Sequence, residues 1–212
     1  PEMTSTTGGT LWDFYTASVH PLIEPLLEMS WRGVRVDEEM RQRAIEEYEH
    51  QEETLRDVLN IQVGRPLDPL SPKQLMEYVY GELKVQPLSR ERKRPTGRVV
   101  TPTMDETAIS EILTRHDIPA LRTVLEVRGC RKILSTYLKA PLGPDGRLRC
   151  SYDLTGTKTG RLASRETPQG TGTNLQNVPP GIARRMVIPD PGMTFVSADL
   201  SQAEARVVAY LA

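Results

Sequence analysis

The sequence predicts an α+β fold, mainly helical as far as about Leu142 and followed by a small antiparallel sheet. Three observations predict it. From Leu11 to Lys139 apolar residues recur at helical spacing in runs separated by Pro, Gly and capping residues. Arg147 to Leu154 instead alternates, and Met193 to Ala198 is a short, β-prone apolar run. At 212 residues, with 38% hydrophobic and 26% charged side chains, the chain can bury a core as one or two domains. No run approaches the ~20 apolar residues of a membrane helix, and the first ten residues lack the basic and apolar regions of a signal peptide. A cytoplasmic setting, bacterial or that of a phage host, is therefore expected, with no membrane partner.

Residues 1–10 are small and polar and read as a disordered leader. Leu11 to Met29 is helical in pattern, broken by Pro21 and Pro25, and Trp31 to Asp37 turns into a short extended segment. Asp37 caps a long amphipathic helix from Glu38 to about Asn60, with Met40, Ala44, Tyr48, Leu55 and Leu59 on one side. On the other side Glu39 pairs with Arg43, and Glu52 with Arg56. Leu67 to Leu70 is a break. Ser71, Pro72 and Gln74 then start a helix reaching about Leu83, with Gln74 closing a capping box.

Ser89 to Thr103 has no apolar periodicity and reads as an exposed basic loop. Thr103 or Asp105 caps a helix from Glu106 to about Arg115, and Pro119 starts another that runs to about Lys139. Pro141 to Gly146 is a turn before the alternating strand Arg147 to Leu154. A strand over Met193 to Ala198 ends on Asp199, and a helix follows from Gln202. A carboxylate beside a buried strand needs a cation, a metal or helix N-terminal amides, so a metal is one candidate at Asp199. Cys130 and Cys150 lack the spacing and the His companions of a zinc site and read as buried thiols.

The net charge of −1 conceals an uneven distribution. Acids dominate from Glu24 to Asp57, a face that should avoid phosphates. Arg90, Arg92, Lys93, Arg94 and Arg98 stand against Glu91 alone, and seven cations from Arg147 to Arg185 stand against Asp153 and Glu166. Those two stretches suit a polyanion, although a solvated basic loop is the plainer reading of the first. The Gly and Thr residues of 170–173 are not followed by the Gly-Lys-Ser/Thr of a nucleotide P-loop.

Asp199-Leu200-Ser201-Gln202-Ala203-Glu204-Ala205-Arg206, followed by an apolar helix, resembles motif A of the family A DNA polymerases, bacterial and phage. Thr159-Gly160-Arg161-Leu162-Ala163-Ser164 and Asn174-Leu175-Gln176-Asn177-Val178-Pro179 resemble a second motif of that family, here split by a longer, phage-like insertion, Arg165 to Gly172. Lys132 to Tyr137 resembles its Lys-x-x-Ser-Thr-Tyr pattern. Leu67 to Leu75 resembles the start of a thumb helix, with Asp68 and Pro69 in place of Asn-Leu.

The resemblance implies a thumb over 37–142, with the palm formed by 11–36 and by 143–212. It implies template-directed nucleotidyl transfer on primer–template DNA with deoxynucleoside triphosphates. Two Mg²⁺ ions ~3.5–4 Å apart serve that chemistry. Asp199 is then the catalytic and metal-binding carboxylate, the backbone carbonyl of Leu200 adds a hard oxygen, and Ser201, Gln202 and Glu204 lie beside the nucleotide. Arg161, Asn174, Gln176 and Asn177 donate to minor-groove acceptors that every correct pair presents alike. Asn and Gln also stitch loops to themselves, and that reading stays open. Lys132 and the thumb residues Arg92, Lys93 and Arg94 meet phosphates, although an ordinary surface lysine fits Lys132 equally well.

The fingers motif, the second catalytic carboxylate and a 3′–5′ exonuclease core are missing from these residues. The expectation is an incomplete polymerase domain, excised or split, that is inactive alone and completed by a second polypeptide or by a missing C-terminal half. A non-catalytic DNA-binding or assembly fragment is the alternative. An open palm edge exposing Phe195, Val207, Val208 and Leu211 would favour self-association.

Overall fold

The computed structural model describes residues 9–94 and 97–211, with the side chains of 92–99 set aside. The expected leader lies outside the described residues as far as Gly8. Thr10 departs from it: its hydroxyl and amide form a capping box with Asp13 that opens α1 (Leu11–Phe14). A π-helical segment, Tyr15–Val19, and a 3₁₀ turn, His20–Leu22, lead into α2 (Ile23–Arg32). Pro21 and Pro25 were expected to break this run. Pro21 does, lying in the 3₁₀ turn that divides the run, whereas Pro25 falls in the first turn of α2, where its missing amide is not needed.

β1 (Val34–Val36) is followed by α3 (Glu38–Val63), which Asp37 caps and Gly64 ends in the left-handed region at φ 78°. α4 (Pro72–Met76) continues as the π-helical Glu77–Glu82. Ser71 caps it, but Gln74 does not close a capping box: its carbonyl accepts from the Asp68 amide and ties down the preceding turn instead. The expected basic loop is a hairpin of β2 (Ser89–Arg94) and β3 (Gly97–Pro102). Residues 90–94 of β2 are all charged, so no apolar alternation announced it. An ion pair between Arg90 and Asp105, 3.1 Å, ties its base to the cap of α5 (Glu106–Arg115).

α6 (Pro119–Lys132) continues as the π-helical Ile133–Leu138 and packs along α3. That packing corrects one expectation. Glu52, placed on the solvent side of α3, is 7% exposed, because α6 covers that face and supplies Arg131 as a second partner beside Arg56. Leu59, Leu75, Val79, Ile109, Leu121 and Val124 form the main core of the helical part. Arg128 crosses it, donating to the carbonyls of Pro69 at 2.9 Å and Met104 at 2.7 Å, and burial lowers its pKa.

The alternating run 147–154 is two strands. β4 (Arg147–Leu148) pairs with β1, and β5 (Ser151–Asp153) pairs with β6 (Ala163–Arg165), so the chain changes sheets at Arg149 and Cys150. α7 (Ile182–Arg185) and β7 (Val187–Ile188) follow, and the first sheet has the antiparallel order β4-β1-β7. Val36, Leu134, Leu138, Leu148 and Met186 form a second core beneath it.

Met193–Ala198 is not a strand. It pairs with none of β1 to β7, and residues 191–200 are exposed, so no apolar face of the run is covered. α8 (Ala203–Leu211) then forms as expected, with Phe195, Val207, Val208 and Leu211 all exposed. Cys130 and Cys150 are buried free thiols. Among the described residues no helix is long and apolar enough to cross a membrane.

Candidate nucleic-acid interface

The 174–177 turn is built outward from the second core. Leu175 and Val178 pack against that core, which leaves Gln176 and Asn177 exposed between them. Asn174 caps the 3₁₀ turn Leu175–Asn177, its Oδ1 accepting the Gln176 amide at 3.1 Å. The same oxygen accepts the hydroxyl of Ser164, 2.6 Å away on β6 and itself buried. From the other side the Tyr137 hydroxyl donates to the Asn177 carbonyl at 2.7 Å, and Arg184 donates to that of Val178 at 3.0 Å.

The insertion preceding this turn is compact. Thr167 and Thr171 bond through backbone and hydroxyls, and the Gly172 amide donates to Pro141 at 2.7 Å. Gly172 has φ 78°, and a Cβ there would lie 1.8 Å from the Arg149 carbonyl oxygen, so only glycine fits.

Two clefts flank the turn. One, of about 400 Å³, is lined by Lys132, Arg128, Tyr137, Asn177 and Pro179, and so brings Lys132 and Asn177 to one surface. The other, of about 550 Å³, is lined by Ser135, Thr136, Ser164, Arg165, Thr173 and Asn174. Arg161 stands apart from both and pairs with Glu204 at the start of α8, joining the two motifs. Arg92, Lys93 and Arg94 lie on β2, with side chains outside the described part of the structure.

Asp199 is exposed and makes no hydrogen bond or ion pair with the described residues. It ends no strand, contrary to expectation. The Leu200 carbonyl accepts from the Ala203 amide at 3.3 Å and keeps one lone pair free. Ser201 and Gln202 form an exposed turn, with Gln202 left-handed at φ 50°. Carboxylate and carbonyl oxygens suit Mg²⁺. The residues present fit one hard-cation ligand and not a closed site, since no group of three or more His, Cys, Asp or Glu able to hold an ion occurs among the described residues.

Charge organises the sheet side more tightly. Arg149 holds the Asp145 carboxyl far below its usual range through bonds of 2.7 and 2.6 Å, while its Nε donates to the Trp31 carbonyl. Arg147 likewise lowers Asp190, 2.5 Å away. The amide and then the hydroxyl of Thr155 lower Asp153. Burial pushes the Tyr152 hydroxyl up, with the Cys150 thiol adding to it.

Sequence reading gave no role to Ser164 or Tyr137. Both stand inside recognised motifs, but the partners that give them a task lie ten and forty residues on.

Residues 38–212 match the family model described as DNA polymerase family A. DNA polymerase I of Rhizobium leguminosarum is 33% identical over 95% of this chain and 20% of its own length. DNA polymerase I of Chloroflexus aurantiacus is 31% identical over 95% of this chain and 21% of its own. The chain thus spans about a fifth of these relatives. The POL domain of Pol1 from M. smegmatis, solved in complex with DNA primer-template and dNTP, superposes with a TM-score of 0.68 at 27% identity. The match covers 91% of this chain and 33% of that one.

Proposed function

The chain belongs to DNA polymerase family A, and on that premise we propose that it holds primer–template duplex and contributes one carboxylate to template-directed nucleotidyl transfer. The observation that carries this reading is the pinned 174–177 turn with Lys132 beside it. A rigid turn bearing amide side chains suits the degenerate minor-groove edge, and a lysine at its flank suits the adjoining phosphates. Residues 37–142 act as the thumb, whose basic hairpin carries Arg92, Lys93 and Arg94 toward the duplex. Residues 11–36 and 143–212 act as the palm.

In the mechanism, Arg161, Asn174, Gln176 and Asn177 orient the primer end, and Ser201, Gln202 and Glu204 border the incoming nucleotide. Asp199 and the Leu200 carbonyl would hold Mg²⁺, which when bound lowers the pKa of the primer 3′-hydroxyl and offsets triphosphate charge. Glu204 frees Arg161 for DNA by giving up their ion pair.

Activity of the whole enzyme requires the remaining polymerase segments, on a second polypeptide or on a C-terminal half of the same protein. The isolated segment around Asp199 favours a second reading, a DNA-holding fragment without catalysis that self-associates through its exposed apolar residues. Primer extension with Mg²⁺ and four deoxynucleotides separates the two readings, run on the chain alone and with a polypeptide carrying the remaining segments of a relative. Extension in the mixture, abolished by Asp199→Asn, is the expected result. Binding without extension in either sample favours the second reading, and a monomeric mass in light scattering counts against self-association.

A further inference from the structure

The cleft of about 550 Å³ holds polar side chains that the fold itself does not use. Thr173 is 5% exposed, yet its hydroxyl has no hydrogen-bond partner among the described residues. No side-chain oxygen or nitrogen among them is both sealed from solvent and unpartnered, so this hydroxyl opens into the cleft that Thr173 lines. The Thr136 hydroxyl and the Glu166 carboxylate line the same cleft, exposed and equally without partners among the described residues. The backbone beneath them is fixed. Thr136 sits in the helical Ile133–Leu138, and the Thr173 amide donates to the Arg149 carbonyl at 3.1 Å. Glu166 follows Arg165, which pairs in register with Ser151, and precedes Thr167, whose amide closes on the Thr171 carbonyl at 2.9 Å.

The chemistry of these groups selects the ligand. A carboxylate only accepts and a hydroxyl does either, so the matching group carries a hydrogen-bond donor. A phosphodiester carries none, and Glu166 repels it. Arg165, the one cation lining the cleft, lies 3.8 Å from the Asp153 carboxylate and does not cancel both acids. A deoxyribose offers no donor within a strand, whereas every ribose offers its 2′-hydroxyl along the shallow groove of a duplex that contains RNA. We propose that the cleft is a ribose 2′-hydroxyl site, with Glu166 as its specificity-determining acceptor and the Thr136 and Thr173 hydroxyls beside it. The chain then prefers a duplex with a ribonucleotide at this position to the all-DNA duplex. The inference rests on the duplex-holding function proposed above, since the cleft shares Asn174 with the 174–177 turn, and adds to it the sugar chemistry of the strand held.

The test is fluorescence anisotropy with the full chain and primer–template duplexes of one sequence, in which a single ribonucleotide is walked along the primer or the template strand. Where it meets the cleft, the ribonucleotide should tighten binding about tenfold over all-DNA, the worth of one hydrogen bond to a charged group. A 2′-fluoro nucleotide at that position keeps a ribose-like pucker without the donor, and should bind like DNA. Glu166→Ala should bring the ribonucleotide preference below about twofold. Thr173→Val, which removes the hydroxyl and keeps the shape, should lower it to about threefold. Glu166 is exposed, so its variant should melt as the unaltered chain does.

A full preference surviving in either variant overturns the assignment. So does a 2′-fluoro duplex bound as tightly as the ribonucleotide, which marks recognition of sugar pucker and not of a donor. If Thr173→Val no longer melts cooperatively, Glu166→Ala decides alone. Equal binding at every position of both strands, with steep salt dependence, refutes the inference and leaves DNA holding intact. Failure to bind any of the duplexes refutes both.

Discussion

The 174–177 turn and the 193–202 segment both carry residues expected at the site, yet one is fixed from three directions and the other from almost none. Ser164, Tyr137 and Arg184 reach the turn from separate elements, and Leu175 anchors it in a core. The segment bearing Asp199 has no strand neighbour, and the helix after it buries no side chain. The contrast teaches how recognition and chemistry separate physically. A surface that accepts any base pair needs rigidity in its own right, whereas a lone metal ligand gains its geometry only when its other partners are present.

The largest test of that contrast is core truncation. Leu148 is fully buried under the turn, and Leu148→Ala should cost about 2–5 kcal/mol in thermal melting. Val208, 66% exposed on α8, should cost no more than about 0.5 kcal/mol when changed to Ala. Equal losses would erase the distinction. Hydrogen exchange should sharpen it next. Amides of Thr173 and Gln176 should open with free energies approaching that of global unfolding, and those of 193–202 with free energies near zero.

Acid should weaken the fixed side. Asp145 and Asp190 have folded pKa values below the ordinary 3.8, so their contribution is complete above that value and is lost as pH falls through the lower folded values. Melting temperature should drop between about pH 4 and pH 2, and Asp145→Asn should flatten the drop. An unchanged slope would remove Asp145 from the account. The smallest effect belongs to the exposed side. Glu204→Gln deletes an ion pair exposed at both ends, 73% and 81%, so stability should change by less than about 1 kcal/mol. Freed from Glu204, Arg161 should raise duplex affinity by about twofold, and a fall in affinity would count against its role.

The helical part was readable because its signals are local. Asp37, Ser71, Asp105 and Pro119 mark helix starts by contacts within one turn, and all four stand where sequence placed them. What escaped was set by distant partners. Glu52 is buried by a helix that follows far along the chain, and Met193–Ala198 has strand composition but pairs with no strand. The β2 strand of the β2–β3 hairpin is charged at consecutive positions and so on both faces, which apolar periodicity cannot detect. Of the site, the motif residues were found by resemblance. The holding role of the buried Ser164 and Tyr137 hydroxyls was not, because a hydrogen bond between residues ten or forty positions apart leaves no periodic trace.

β1 has a further consequence. Its three residues lie between β4 and β7, so a strand that precedes the helical unit is bound into a sheet whose other members arrive only after that entire unit. Closing that loop costs entropy that local helix formation does not. During synthesis Val34–Val36 must wait unpaired while α3 to α6 collapse, and the sheet can zip up only once β4 and β7 emerge. The helical unit is then the nucleus and the sheet the slow step, so substitutions in β1 should accelerate unfolding more than they retard folding.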